Sequence, residues 1–132
     1  LGAAGIPVWS HPMTQRLSAE EGNPVPPNAL KGIEAPGSTT GFGSLEVLYP
    51  GGGHARDNIM VWLPEQKMLY GGCAVRELAT DTLGNTADAD LESWPKAIRQ
   101  AQSHYPDARL VIPGHGEPGG PELLEHMHAL FK

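Results

Sequence analysis

With 132 residues, 39% of them hydrophobic, the chain has the length of one small domain with a modest core. Nine Lys and Arg against 15 Asp and Glu give a net charge of −6, with no basic block and 6% aromatic residues, which argues against nucleic acid and against an anionic membrane surface as partners. Apolar runs such as residues 59–63 are too short to span a bilayer, and a single Cys excludes an internal disulfide framework while leaving the redox compartment open.

The chain opens on Leu1-Gly2-Ala3-Ala4-Gly5, with no initiator Met, no basic leader and no cleavage-type signal, and reads as starting inside something longer. Residues 6–9 predict a short strand. Pro12 suits the first turn of a helix reaching about Glu21, with Gly22 as its stop. Residues 23–41 carry Pro24, Pro26, Pro27 and Pro36 with Gly32, Gly37 and Gly41, which predicts a long irregular loop. Residues 44–49 alternate as a strand, and residues 58–63 and 67–70 predict a hairpin around Pro64-Glu65-Gln66. A loop rich in Ala, Thr, Asp and Gly follows over residues 74–90.

Leu91, Trp94, Ile98, Ala101 and Tyr105 then recur at three- and four-residue spacing, the apolar stripe of an amphipathic helix. Pro95 belongs in its first turn, which makes Ser93 the N-cap. Residues 109–112 predict a buried strand delivering Pro113-Gly114-His115. Pro121 opens a last helix with Leu123, Leu124, Met127, Leu130 and Phe131 on one side. The order is mixed α/β, with no internal repeat.

Three side chains in this order share a setting. His54 in Gly-Gly-Gly-His-Ala-Arg-Asp-Asn, Cys73 in Tyr-Gly-Gly-Cys-Ala and His115 in Pro-Gly-His-Gly each follow a predicted strand and sit beside glycine. Imidazole and thiolate are ligands that Zn²⁺ favours, and strand ends on one rim of a sheet are where loops gather a site on a rigid base. These three are the metal candidates. His126 and His128 lie two apart on a helix and face different ways, His104 is at a solvent-side helix end, and His11 precedes Pro12. Those four read as structural or solvated.

The segments Tyr49-Pro50-Gly51-Gly52-Gly53-His54-Ala55-Arg56-Asp57-Asn58, Tyr70-Gly71-Gly72-Cys73-Ala74, Gly84-Asn85-Thr86-Ala87-Asp88-Ala89-Asp90-Leu91 with Trp94-Pro95, and Val111-Ile112-Pro113-Gly114-His115-Gly116 together resemble the class B metallo-β-lactamases. The likeness is closest to the Verona-type and imipenemase-type branch with a Cys ligand, and it runs over essentially the whole chain. It implies an αββα sandwich of which this chain is the C-terminal half: a mostly antiparallel sheet with helices on its outer face. It also implies two Zn²⁺ per complete site and periplasmic, zinc-dependent hydrolysis of the β-lactam ring of penicillins, cephalosporins and carbapenems, with antibiotic resistance as the consequence.

The family's His-x-His-x-Asp-His motif is absent from residues 1–132, so its N-terminal half is the implied partner. By resemblance His54 belongs to one zinc site, and Cys73 and His115 belong to the other. Arg76 matches a position where the family often has a Lys facing the substrate carboxylate. Asn85 matches a loop Asn that helps orient or polarise the lactam carbonyl; its structural alternative is a left-handed turn residue after Gly. Arg56 and Asp57 are candidates to support His54, or else a surface ion pair.

Other readings stand beside this one. A cysteine hydrolase would use Cys73 as nucleophile, His115 as base and Asn85 as orienter, but nothing places Cys73 at a helix start that would lower its pKa. A glyoxalase-like thioesterase of the same superfamily typically carries Asp where this chain has Cys73. An inactive half-domain that only binds its complement, or itself, is the third.

Overall fold

The computed structural model describes residues 1–132. Near the N-terminus β1 (Trp9–Ser10) leads directly into α1 (Pro12–Glu20), and Pro12 occupies the first turn, where its missing N–H leaves nothing unpaired. The segment predicted as loop then pairs twice. β2 (Asn28–Ala29) lies parallel to β1, and β3 (Ser38–Phe42) joins the main sheet. Proline and glycine masked both: Pro36 and Gly37 precede β3, and Asn28 reaches back by donating from Nδ2 to the Val8 carbonyl at 2.9 Å.

The main sheet follows with β4 (Leu45–Tyr49), β5 (Met60–Leu63), β6 (Met68–Gly72) and β7 (Leu110–Pro113), in the order β3-β4-β5-β6-β7. All neighbouring pairs are antiparallel except β6 with β7, as the crossover through α2 (Trp94–His104) permits. The predicted hairpin forms around residues 64–67, with Lys67 the one non-glycine residue at positive φ, 50°. β5 starts later than the pattern suggests because the Asn58 side chain is spent on the preceding loop. Its Nδ2 donates to the Gly51 carbonyl at 2.9 Å.

Alternation sorts the strands into two faces. Leu48, Met60, Trp62, Leu69 and Val111 are buried on one. They pack with Trp94, Ile98 and Ala101 of α2 and Leu123, Leu124 and Met127 of α3 (Glu122–Leu130) in one core cluster. The opposite face carries the cross-strand row Val47, Val61, Tyr70 and Ile112. Only its β4 end is covered: Val47 and Tyr49 pack with Leu30, Ile33, Met13 and Ile59 in a small second cluster. Toward β7 the face opens, with Tyr70 47% and Leu110 37% exposed. No helix is long and apolar enough to cross a membrane.

His11, which the sequence left as structural or solvated, is buried and holds this second layer together. Its Nδ1 accepts the Met13 N–H at 3.0 Å, capping α1. Nδ1 therefore carries no proton, and Nε2 donates to the Ile33 carbonyl at 2.8 Å. The ring also lies 4.2 Å, centroid to centroid, from Tyr49. Removing it uncaps a helix and orphans a buried carbonyl. His11→Ala is expected to cost about 1–3 kcal/mol, read as a lower urea midpoint at unchanged slope.

Candidate metal centre

Two antiparallel steps carry the sheet from β4 to β6, and one parallel step carries it to β7, so these three strands run the same way. His54, Cys73 and His115 follow their C-terminal ends and so leave the sheet at one rim. The shared rim expected from the sequence is the observed geometry.

The loop bearing His54 is stitched from within and from the segment that leads into α2. Asn58 Oδ1 accepts the Ala55 N–H at 3.2 Å, the Tyr49 hydroxyl donates to the Arg56 carbonyl at 2.9 Å, and the Asp90 N–H donates to the Gly53 carbonyl at 2.8 Å. Burial, aided by the negative charges of Asp57 and Asp90, pushes the Tyr49 phenol up, which keeps it a donor. The flanking glycines have a packing reason. A Cβ at Gly53 would lie 2.8 Å from Asn58 Oδ1 and 3.2 Å from Trp94 Cδ1. Gly53 therefore leaves room for the Asn58 and Trp94 side chains.

Trp94, fully buried at the start of α2, links two of the candidates. Its ring sits edge-on to His54 at 5.8 Å, and its Nε1–H donates to the Ala74 carbonyl at 2.9 Å, next to Cys73. Just before it, Asp90 Oδ1 accepts the Ser93 N–H at 3.0 Å. Ser93 is the N-cap residue as predicted, but its side chain makes no capping bond. Hydrogen bonds from the Ser93 backbone, then from its side chain and from the Glu92 backbone, hold the Asp90 carboxyl below the usual range, and Lys96 adds to this.

Cys73 and His115 approach through β6 and β7. Gly72 pairs with Pro113, and a Cβ at Gly114 would fall 2.6 Å from both the Cys73 nitrogen and Sγ. Cys73 is a free, half-buried thiol outside any helix, while His115 is exposed. His54 Nδ1 is buried with no hydrogen-bond partner, a condition that native structures seldom leave unrelieved. An N and S donor set with an orphaned imidazole nitrogen fits Zn²⁺. Residues 1–132 nonetheless contain no group of three or more His, Cys, Asp or Glu side chains arranged to hold a metal ion.

The remaining candidates lie nearby with mixed outcomes. Arg76 is half-buried with Nε unpartnered, and its Nη1 would lie 3.1 Å from a Cβ built at Gly84. Asn85 is exposed, and its Oδ1 accepts the Ala87 N–H at 3.0 Å. The left-handed residue of that turn is Gly84, with φ 74°, and not Asn85. Arg56 and Asp57 form no ion pair. Asp57 instead accepts the Thr14 hydroxyl at 2.6 Å and ties α1 to the His54 loop. His126 contacts the Thr80 carbonyl at 2.6 Å and His128 contacts Gln102 Oε1 at 2.9 Å, both structural, as the spacing suggests.

No family model matches the chain. A metallo-beta-lactamase type 2 from Bacteroides fragilis is 42% identical over 122 residues, covering 92% of this chain and 48% of that protein. A metallo-beta-lactamase from Hirschia baltica has a crystal structure that superposes with a TM-score of 0.94 at 39% identity, covering 99% of this chain and 59% of that one. The metallo-beta-lactamase FIM-1 from Pseudomonas aeruginosa, crystallised in a mono-zinc form, gives 0.90 at 36% identity over 99% and 57%. The chain spans about half the length of the curated relatives it matches.

Two expectations follow from the geometry. Trp94→Phe keeps a ring against His54 but strips the buried Ala74 carbonyl of its donor, at a cost of about 1–3 kcal/mol in a denaturation titration. For Asp90 the folded-state pKa lies below the unfolded value of about 3.9. Its contribution is thus present above that value and lost as pH falls through the folded one. Asp90→Asn should lower thermal stability near neutrality and flatten the acid limb below about pH 4, the variant and the unaltered chain converging at low pH.

Proposed function

The chain belongs to the metallo-β-lactamase family, and from that premise we propose that it is the C-terminal half of a zinc-dependent β-lactam hydrolase, active when joined by the half that carries His-x-His-x-Asp-His. The observation that carries the reading is the single rim. Strands β4, β6 and β7 end together there and deliver His54, Cys73 and His115. Curated relatives 42% and 38% identical, of which this chain spans about half, bear the name metallo-beta-lactamase type 2, and FIM-1 was crystallised in a mono-zinc form.

His54 would contribute to one Zn²⁺, and Cys73 with His115 would contribute to a second. When bound, zinc supplies Lewis-acid polarisation and water of lowered pKa. The chain's own groups bind and orient the substrate around that chemistry. The Arg76 guanidinium, always charged and bidentate, is suited to hold the carboxylate common to β-lactams. Asn85, with Oδ1 engaged by Ala87, presents its NH₂ group toward solvent and can donate to a lactam carbonyl. Trp94 keeps the His54 and Cys73 loops at a constant separation while substrate enters.

The complementary half has a surface to meet. The half-open sheet face, with Val61, Tyr70, Leu110 and Ile112, leaves apolar side chains in water at about 1.5–3 kcal/mol for each large one. A second layer of sheet and helix laid there would complete the sandwich. Export to the periplasm is part of the same proposal, inferred from the family.

Alone, the zinc-loaded 132-residue chain is expected to hydrolyse a carbapenem or cephalosporin negligibly and to self-associate in sedimentation. Adding the His-x-His-x-Asp-His half should restore turnover, which chelation then abolishes. In the restored system Cys73→Ser should cut the rate by more than the about 10–100-fold typical of losing a group behind a ligand, while His126→Ala changes little. Zinc-dependent turnover by the chain alone would overturn the split-site reading. Chelator-resistant turnover that vanishes with Cys73 would replace it with a cysteine nucleophile.

A further inference from the structure

His115 is held on both flanks by the segment that carries Cys73. On one side Gly114 lies so close to Cys73 that no side chain fits between them. On the other, Gly116 adopts φ 84°, and any Cβ there would overlap the carboxylate of Glu77. That carboxylate fills the place a side chain would take, and its Oε2 accepts the Glu117 N–H at 2.9 Å. Glu77 is itself anchored within the Cys73 loop, where its carbonyl accepts the Thr80 N–H at 3.2 Å. Farther along the chain α3 also reaches this loop, where Met127 Sδ accepts the Arg76 N–H at 3.1 Å and His126 Nε2 meets the Thr80 carbonyl at 2.6 Å; Glu77 is the side chain that holds the turn immediately after His115.

We propose that Glu77 is a positioning residue: by clamping the Gly116-Glu117 backbone it sets where the His115 imidazole stands relative to the Cys73 thiolate. The proposal rests on the reading of Cys73 and His115 as ligands of one metal ion. Glu77 neither binds substrate nor coordinates the ion. It shortens the search that an exposed imidazole on a glycine-flanked turn would otherwise make, so the entropy of ordering that turn is met before the ion arrives. The anchor needs an acceptor at the end of a side chain of this length, not a negative charge.

Co²⁺ titration of the 132-residue chain tests this, read by the thiolate-to-cobalt absorption and by the dissociation constant. Glu77→Ala should weaken Co²⁺ binding by about 10–100-fold, reduce the absorption at saturation and raise amide exchange at Glu117, with the metal-free thermal midpoint nearly unchanged. Glu77→Gln keeps an acceptor and should restore binding close to the unaltered chain. Gly116→Ala, which leaves Glu77 in place but evicts its carboxylate, should imitate Glu77→Ala and serves if that variant does not fold. Unaltered Co²⁺ affinity in both Glu77→Ala and Gly116→Ala would overturn the clamp, as would a loss in Glu77→Gln equal to that in Glu77→Ala. Cys73→Ser and His115→Ala separate the two levels. If they bind Co²⁺ as well as the unaltered chain, the ligand reading fails and the clamp with it; if they lose binding while Glu77→Ala does not, only the clamp fails.

Discussion

The burial of one indole sets the geometry on which the rim depends. Trp94 is fully buried, yet its N–H must still find an acceptor, and the Ala74 carbonyl is where it finds one. That bond ties the start of α2 to the residue after Cys73, while the edge of the same ring rests against His54. Two loops that leave different strands are thereby referred to one rigid point in the core. Asp90 reinforces the arrangement, because its N–H binds the Gly53 carbonyl and its carboxylate caps the approach to α2.

The sheet contributes direction, and the helices contribute support on one side only. α2 and α3 bury Leu48, Met60, Trp62, Leu69 and Val111 beneath them, which makes that face a conventional core. The other face has a partial lid from residues 12–33, fastened by His11 and by the Thr14–Asp57 bond. The lid protects the strand that leads to His54 and leaves the strands that lead to Cys73 and His115 bare. Along the shared rim the support is therefore uneven, with the His54 loop backed on both sides and the Cys73 and His115 loops backed on one.

Much of this was legible in the residues. Helical spacing over 91–105 and 121–131 located both covering helices, and alternation over 44–49 and 58–70 located the central strands. The shared strand-end setting of His54, Cys73 and His115 pointed to a common rim, and it is the two antiparallel pairings followed by one parallel pairing that put the ends of β4, β6 and β7 there. What stayed hidden depends on contacts distant in sequence. β2 and β3 lie in a stretch whose prolines and glycines report only local turns, and their pairing is decided by partners at residues 9–10 and 45–49. The role of His11 was invisible because its second nitrogen meets a carbonyl twenty-two residues away. Glu77 carries no local signal at all. An earlier hint was available in Gly116, since a glycine directly after a ligand candidate invites the question of what occupies the space its missing side chain leaves.

The parallel pairing of β6 with β7 has a consequence for how the chain is made. Cys73 and His115 become neighbours only after the whole crossover, with α2 inside it, has folded back across the sheet. Closing so long a connection carries an entropic cost that the hairpin of β5 and β6 does not share. The local hairpin that leads to Cys73 can therefore close before the crossover that brings His115 beside it. A locally closed hairpin can thus be complete while the pair beside it is not, which makes the placement of His115 next to Cys73 a long-range contact that only the finished sheet supplies.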